Sequence, residues 1–163
     1  MSTLGFGAKV GYSTASPLSL TKIRNLRDIQ IPKWVFDKLE ETTHGTQKLK
    51  QHRPGLADVT DTVIKVLSDF SLAEQRELRD YSLTQTVLWI RIEFPLTDSF
   101  VTDNKWIALE FPARVADFGP AVPQAANQET DITLMFGGTD PGGTGSSFTW
   151  YDGGGAGVAT SMS

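Results

Sequence analysis

Two runs in the middle of the chain constrain the fold most tightly. In Thr86 to Pro95, the residues Leu88, Ile90, Ile92 and Phe94 take alternate positions, opposite Val87, Trp89, Arg91 and Glu93. In Lys105 to Ala113, Ile107, Leu109 and Phe111 repeat the pattern, opposite Trp106, Ala108 and Glu110. Alternation at period two puts every second side chain on one face of a pleated strand. Such strands are expected to bury the apolar face and wet the other. The polar link TDSFVTDN between them has the length and composition of a hairpin connection.

The remaining segments fit around that antiparallel pair. Ala8 to Tyr12 reads as a short strand, and Leu20 to Ile31 as a strand with a bend or bulge. Trp34 to Thr43 is expected to be the next strand. Asp61 to Asp69 alternates, with Val63, Lys65 and Leu67 on one side and Ile64, Val66 and Ser68 on the other. Ser71-Leu72-Ala73-Glu74 has the spacing of a capping box, and helix formers follow it, so a helix is predicted over Leu72 to Tyr81. Arg114 to Phe118 extends the second central strand before Gly119-Pro120. Thr130 to Phe136 forms a last strand with Ile132, Leu134 and Phe136 inward.

Between the third and fourth strands lies a charged excursion, Gly45 to Arg53, whose one aliphatic residue is Leu49. Pro54-Gly55 then reads as a turn, Pro fixing one φ and Gly supplying a positive one. A connection that long inside a domain commonly has a use. It is read as an arm meant for another subunit.

With 163 residues the chain is long enough for a sizeable core. The domain is expected over 1–138. A glycine-rich arm over 139–163 carries one aromatic patch, Phe148 to Asp152; the first reading is a flexible tether, and the alternative is a strand added to a neighbour's sheet edge. There is no cysteine, so disulfides and thiolate metal sites are excluded. No run is apolar for long enough to span a bilayer, and MSTLGFGAKV lacks signal-peptide character; a cytoplasm-like folding compartment is expected. Charge is uneven: Lys22 to Arg53 holds eight bases against four acids, and Pro54 onward holds fifteen acids against six bases. A basic arm and an acidic body suit head-to-tail attraction between copies.

Signals for chemistry are weak. His44 and His52 have no metal-ligand spacing, and no metal or cofactor is expected. The glycine clusters open no helix and precede no Lys-Ser/Thr, which argues against a phosphate loop. Glu93 and Glu110 lie on adjacent strands, yet no other catalytic group accompanies them, so solvated strand faces are the expectation. An enzyme is not expected.

Six or seven strands with one helix leave sheet edges that a soluble monomer must blunt, and closure with other copies would remove them. The order of segments resembles the tail tube protein of long-tailed, siphovirus-like bacteriophages, over about Gly5 to Gly138. The resemblance rests on IRNLRDIQIP, on LEETTHG, on the basic loop ending in RPGLADV, then the helix, the hairpin pair and the last strand. Its most telling piece is Thr42-Thr43-His44 followed by Pro54-Gly55-Leu56-Ala57-Asp58. The fold it implies is mainly β, an antiparallel sandwich or partial barrel with one short helix and a long inter-strand loop.

The resemblance also implies a virion structural protein. Homohexameric rings would stack head to tail into a tube that conducts the genome into the host, after assembly in the host cytoplasm. Implied partners are other copies, the tail tip, tape measure and terminator proteins, and double-stranded DNA passing without specific binding; no membrane is implied. The inter-ring contact loop maps to Thr46, Gln47, Lys48, Leu49, Lys50, Gln51, His52 and Arg53. An acidic wall would repel phosphates, so Glu93, Glu110 and Asp28 are lumen candidates, with Arg91 needing a carboxylate partner on the same face. Two other classes stay open: a ring protein that does not polymerise, such as a connector or tail terminator, and a monomeric barrel with a ligand pocket at Trp89 and Trp106.

Overall fold

The computed structural model describes residues 8–15, 20–41, 50, 52–95, 106–121, 128–137 and 148–153. In chain order the elements are β1 (Lys9–Ser13), β2 (Thr21–Lys22), β3 (Leu26–Gln30), β4 (Trp34–Glu40), β5 (His52–Val59) and β6 (Thr62–Leu67). The helix α1 (Ala73–Thr84) follows, then β7 (Leu88–Pro95), β8 (Trp106–Ala121), β9 (Glu129–Phe136) and β10 (Thr149–Gly153). The chain is mainly β, antiparallel throughout, with one helix among the described residues.

The two alternating runs form the centre as expected, β7 and β8 pairing antiparallel from Leu88↔Ala113 to Pro95↔Trp106. Around them the main sheet runs β2-β1-β7-β8-β9-β6-β3. β8 is long enough to serve two neighbours on one side. Its first residues pair with β10 and its later ones with β9, so the sheet branches there. A bulge between Val115 and Asp117 adds one residue, which keeps both Val115 and Phe118 on the core side. The strand therefore continues through Gly119-Pro120 to Ala121, further than the sequence suggested.

One face of this sheet carries the core. Leu88, Ile90 and Ile92 of β7, Leu109 and Phe111 of β8, Ile132 and Leu134 of β9, and Ile64 and Val66 of β6 are all buried. Burial of each such side chain contributes roughly 1.5–3 kcal/mol. The helix adds Leu78 to the same cluster.

Several local expectations are overturned. The segment from Leu20 to Ile31 is two strands, because Asn25 adopts a positive φ of 62° and breaks the run. A register shift between Leu26 and Asp28 supplies the expected bulge within β3. Pro54-Gly55 is no turn: both residues lie inside β5. There Gly55 and Leu56 stand opposite the single residue Asp37, in a bulge of the β4–β5 pair. Glycine fits closely there: a Cβ on Gly55 would lie 3.2 Å from both the Cβ and the carbonyl oxygen of Asp37, so a larger residue would require Asp37 to give by a few tenths of an ångström. Pro54 is tolerated because a two-stranded ribbon is all edge. His52 and Arg53 likewise belong to β5, not to a loop. β4 ends at Glu40; Thr42 and Thr43, with 44–49 and Gln51, lie outside the described residues.

The capping box does not form. Leu72 is the N-cap and makes no side-chain cap bond. The Ser71 hydroxyl instead donates to Asp69 Oδ1, and Glu74 is taken by Arg24. The C-terminus extends beyond Tyr81 to Thr84 and closes at Gln85, in the left-handed region with φ of 55°. Gln85 Nε2 donates to the carbonyls of Ser82 and Val115, fastening the helix end to β8 beyond the reach of β7. The buried Gln75 does the same at the other end, donating to Leu67 O of β6 and accepting from Asp69 N.

The face of β7 expected to be wet is covered. Trp89, Arg91 and Glu93 are buried, as is Ala108 on β8. Charge can be buried there because it is paired (described below). Finally, the described part of the aromatic patch is no tether: β10 pairs with β8 of the same chain.

Candidate assembly surfaces

The ribbon of β4 and β5 forms its own two-stranded sheet. WVFDKLE holds three consecutive apolar residues, so an extended strand must show apolar groups on both faces. All seven residues of β4 are exposed. Trp34, Val35 and Phe36 are each about half exposed, Leu39 is 45% exposed, and Leu56 on β5 is 84% exposed. The sequence reading singled out the charges of this region and missed these apolar residues. The signal was present in the unalternated Trp34-Val35-Phe36.

A hollow of about 420 Å³ on the ribbon is lined by Phe36, Asp37, Lys38, His52, Arg53 and Pro54. It combines an aromatic wall with cationic groups. Of the loop residues assigned to ring-to-ring contact, His52 and Arg53 thus lie on this hollow, both exposed. Lys50 Nζ stands 3.9 Å from Glu40 Oε1, an exposed pair that contributes little. Thr46, Gln47, Lys48, Leu49 and Gln51 lie outside the described residues.

A second surface is the sheet face opposite the core. Direct cross-strand partners share a face, so Arg91 and Glu110 lie together there. Arg91 Nε donates to Glu110 Oε1 at 2.8 Å, Nη2 lies 2.7 Å from the same oxygen, and Nη1 lies 3.4 Å from Glu93 Oε1. Arg91 and Glu93 are 3% and 2% exposed. Lys9 of β1 sits directly across from Glu93. The two carboxylates are therefore no solvated pair but flank one guanidinium, the partner Arg91 needs.

The same face continues over β9, β6 and β3. Asp131 lies across from Lys65, and Lys65 across from Asp28; Asp117 lies across from Thr133, two residues along from Asp131. Asp28, Asp117 and Asp131 are exposed. Of the three candidate lumen residues, Asp28 faces solvent, while Glu93 and Glu110 sit in the ion network.

Side-chain ties hold the helix to the start of the sheet. Arg24 grips Glu74 with two bonds, Nε to Oε1 at 2.6 Å and Nη2 to Oε2 at 3.1 Å. The Arg24 hydrogen bond holds the Glu74 carboxyl below its ordinary 4.5 despite burial, and Asp69 is lowered by its bonds from Ser71. Tyr12 donates to Glu77 Oε2 at 2.6 Å, and burial followed by that bond pushes its hydroxyl pKa far up. A folded pKa below the unfolded one means the Arg24–Glu74 tie stabilises fully above pH 4.5. It is lost as pH falls through the lower folded value. Arg24→Ala should therefore flatten the acid limb of stability below pH 4.5, measured as denaturation midpoints against pH. An acid limb identical to wild type would count against the tie.

Among the described residues no group of His, Asp and Glu is placed to hold a metal ion. No helix among the described residues is long and apolar enough to cross a membrane.

No family model and no curated protein matches this chain. Solved structures do. A chain of the anti-feeding prophage baseplate superposes with a TM-score of 0.65 at 9% identity, covering 93% of this chain and 97% of that one. A chain of the native gene transfer agent virion gives 0.63 at 11% identity, covering 91% and 99%. The SPP1 tail tube gives 0.61 at 13% identity, covering 94% and 80%. With its branched antiparallel sheet, one helix among the described residues and separate two-stranded ribbon, the chain has the fold of these particle and tail tube subunits.

Proposed function

We propose that this chain is a structural protein of a virion tail, whose homohexameric rings stack into a tube that conducts the genome. The observation that carries this reading is the ribbon: a two-stranded projection with apolar residues exposed on both faces, on a subunit with the fold of the SPP1 tail tube. Large apolar exposure of this kind marks surfaces that are covered in an assembly. The baseplate whose chain is similar here is six-fold symmetrised, which supports the hexamer. Among the described residues the sheet also ends in β2 and β3, two edges on which a ring can close.

In this reading the polar sheet face lines the lumen. Asp28, Asp117 and Asp131 supply its repelling charge, and Arg91 offsets part of the charge of Glu93 and Glu110. The ribbon with Lys50, His52 and Arg53 reaches the adjoining ring, joined by the loop residues before it. Tail tip, tape measure and terminator proteins are the further partners, and no catalytic step is assigned.

Electron micrographs of the purified protein at high concentration test the assembly. Tubes are expected; isolated rings would favour a connector or terminator, and single particles at every concentration would overturn the reading. Replacing Asp28, Asp117 and Asp131 by Asn should leave tubes intact and slow genome ejection, measured as the rate of DNA release. Unchanged release would remove the lumen assignment.

A further inference from the structure

Among the described residues β10 pairs with one strand, β8, and an aromatic plug precedes it. Its five residues pair with β8 from Thr149↔Glu110 to Gly153↔Trp106. Just before it, Phe148 stacks on Phe111 at 5.5 Å between ring centroids, meets Phe136 edge-on at 5.7 Å, and lies 5.0 Å from Trp34 at the ribbon's base. The slot for Phe148 is therefore built by residues of β8, β9 and β4, Phe136 being the one nearest to it in the chain. The connector 137–147 holds five glycines in eleven residues. Its full extension is roughly 36–40 Å, long enough to reach a seat on another copy in contact with this one.

We propose that the seat is exchangeable: when copies assemble, the β8 edge and its aromatic slot take residues 148–153 of a second copy. This rests on the self-assembly proposed above and names the contact that links one subunit to the next. The bonds made within one chain and between chains are the same, so their energies cancel and local concentration decides. In dilute solution the chain's own segment, held by an eleven-residue connector, has the advantage. In a ring the neighbour's segment is equally near. Trp34 gives the exchange a second consequence, because the plug that changes chains also contacts the ribbon.

The chain has no cysteine, which makes a disulfide test clean. Ile107 and Asp152 face each other across β8 and β10, and directly opposed strand residues are close enough to bridge. Copies bearing only Ile107→Cys are mixed with copies bearing only Asp152→Cys, assembled, oxidised and run on a denaturing gel without reductant. Covalent dimers are expected from the assemblies and not from the dilute mixture. The double variant, oxidised while dilute, locks the segment within one chain and should fail to assemble until it is reduced. Absence of mixed dimers, or normal assembly of the locked chain, overturns the exchange. Tubes that form without mixed dimers leave the tube reading standing, whereas a wild-type chain that stays single removes that reading on its own.

Discussion

Arg91→Ala should destabilise the subunit by roughly 3–5 kcal/mol, the cost of stripping the partner from buried charge. Glu93 is 2% exposed and Glu110 is 15% exposed, and Arg91 pairs with both. Removing it takes a cation away from two carboxylates on adjacent strands with little water to solvate them, while Lys9 remains across from Glu93. That loss is a large part of the roughly 5–15 kcal/mol that holds a domain of ordinary stability. Chemical denaturation of the purified variant, read by fluorescence, should show a midpoint far below wild type. Replacing all three residues together, Arg91→Met with Glu93→Leu and Glu110→Leu, is expected to recover most of the loss, because the three charges then leave together and no buried carboxylate stays behind. A single Arg91→Ala variant as stable as wild type would mean that water reaches this network freely.

This network also marks where the sequence was legible and where it was not. Period-two alternation in Leu88 to Phe94 and Ile107 to Phe111 identified the central strands and their core faces, because side-chain direction in a strand follows from position alone. Alternation says nothing about what covers the opposite face. Trp89, Arg91 and Glu93 read as wet, and the pairing of Arg91 with Glu110 and Glu93 is what lets the two charged residues be buried. The capping box failed for a similar reason. Ser71 and Glu74 have the right spacing, but Arg24, fifty residues earlier, offers Glu74 a two-bond partner that a local motif cannot compete with. Pro54-Gly55 is turn chemistry out of context; opposite Asp37 the same pair makes a bulge. Phe148 to Asp152 reads as a tether first and as a strand on a neighbour's edge second, because glycine composition reports the connector and not which sheet the strand joins. The long charged insertion stood out in the sequence, whereas the exposed apolar residues of the adjoining ribbon, Trp34 to Phe36, Leu39 and Leu56, did not.

Leu39→Ser with Leu56→Ser should abolish polymerisation while leaving the subunit folded. Leu39 is 45% exposed and Leu56 is 84% exposed, so neither contributes much to the core of the free chain. Exposed substitutions of this kind change stability by about 0.5 kcal/mol or less. In an assembly the balance reverses. Each leucine covered by a neighbour contributes roughly 1.5–3 kcal/mol, and every contact recurs in every copy along a stacked array. Losing two such contacts per subunit weakens each junction by on the order of 3 kcal/mol, more than a hundredfold in its equilibrium constant. Sedimentation at matched concentration should therefore show wild-type protein in the pellet and the variant in the supernatant, with superimposable denaturation curves for the two. Replacing the ribbon cations instead, Lys50→Gln with Arg53→Gln, tests the charge contribution separately; it should weaken assembly most at low salt, where exposed charges are least screened. Tubes formed equally well by the doubly serine-substituted chain would show that the ribbon's apolar faces stay in water, and the assembly surface would have to be sought on the sheet edges β2 and β3.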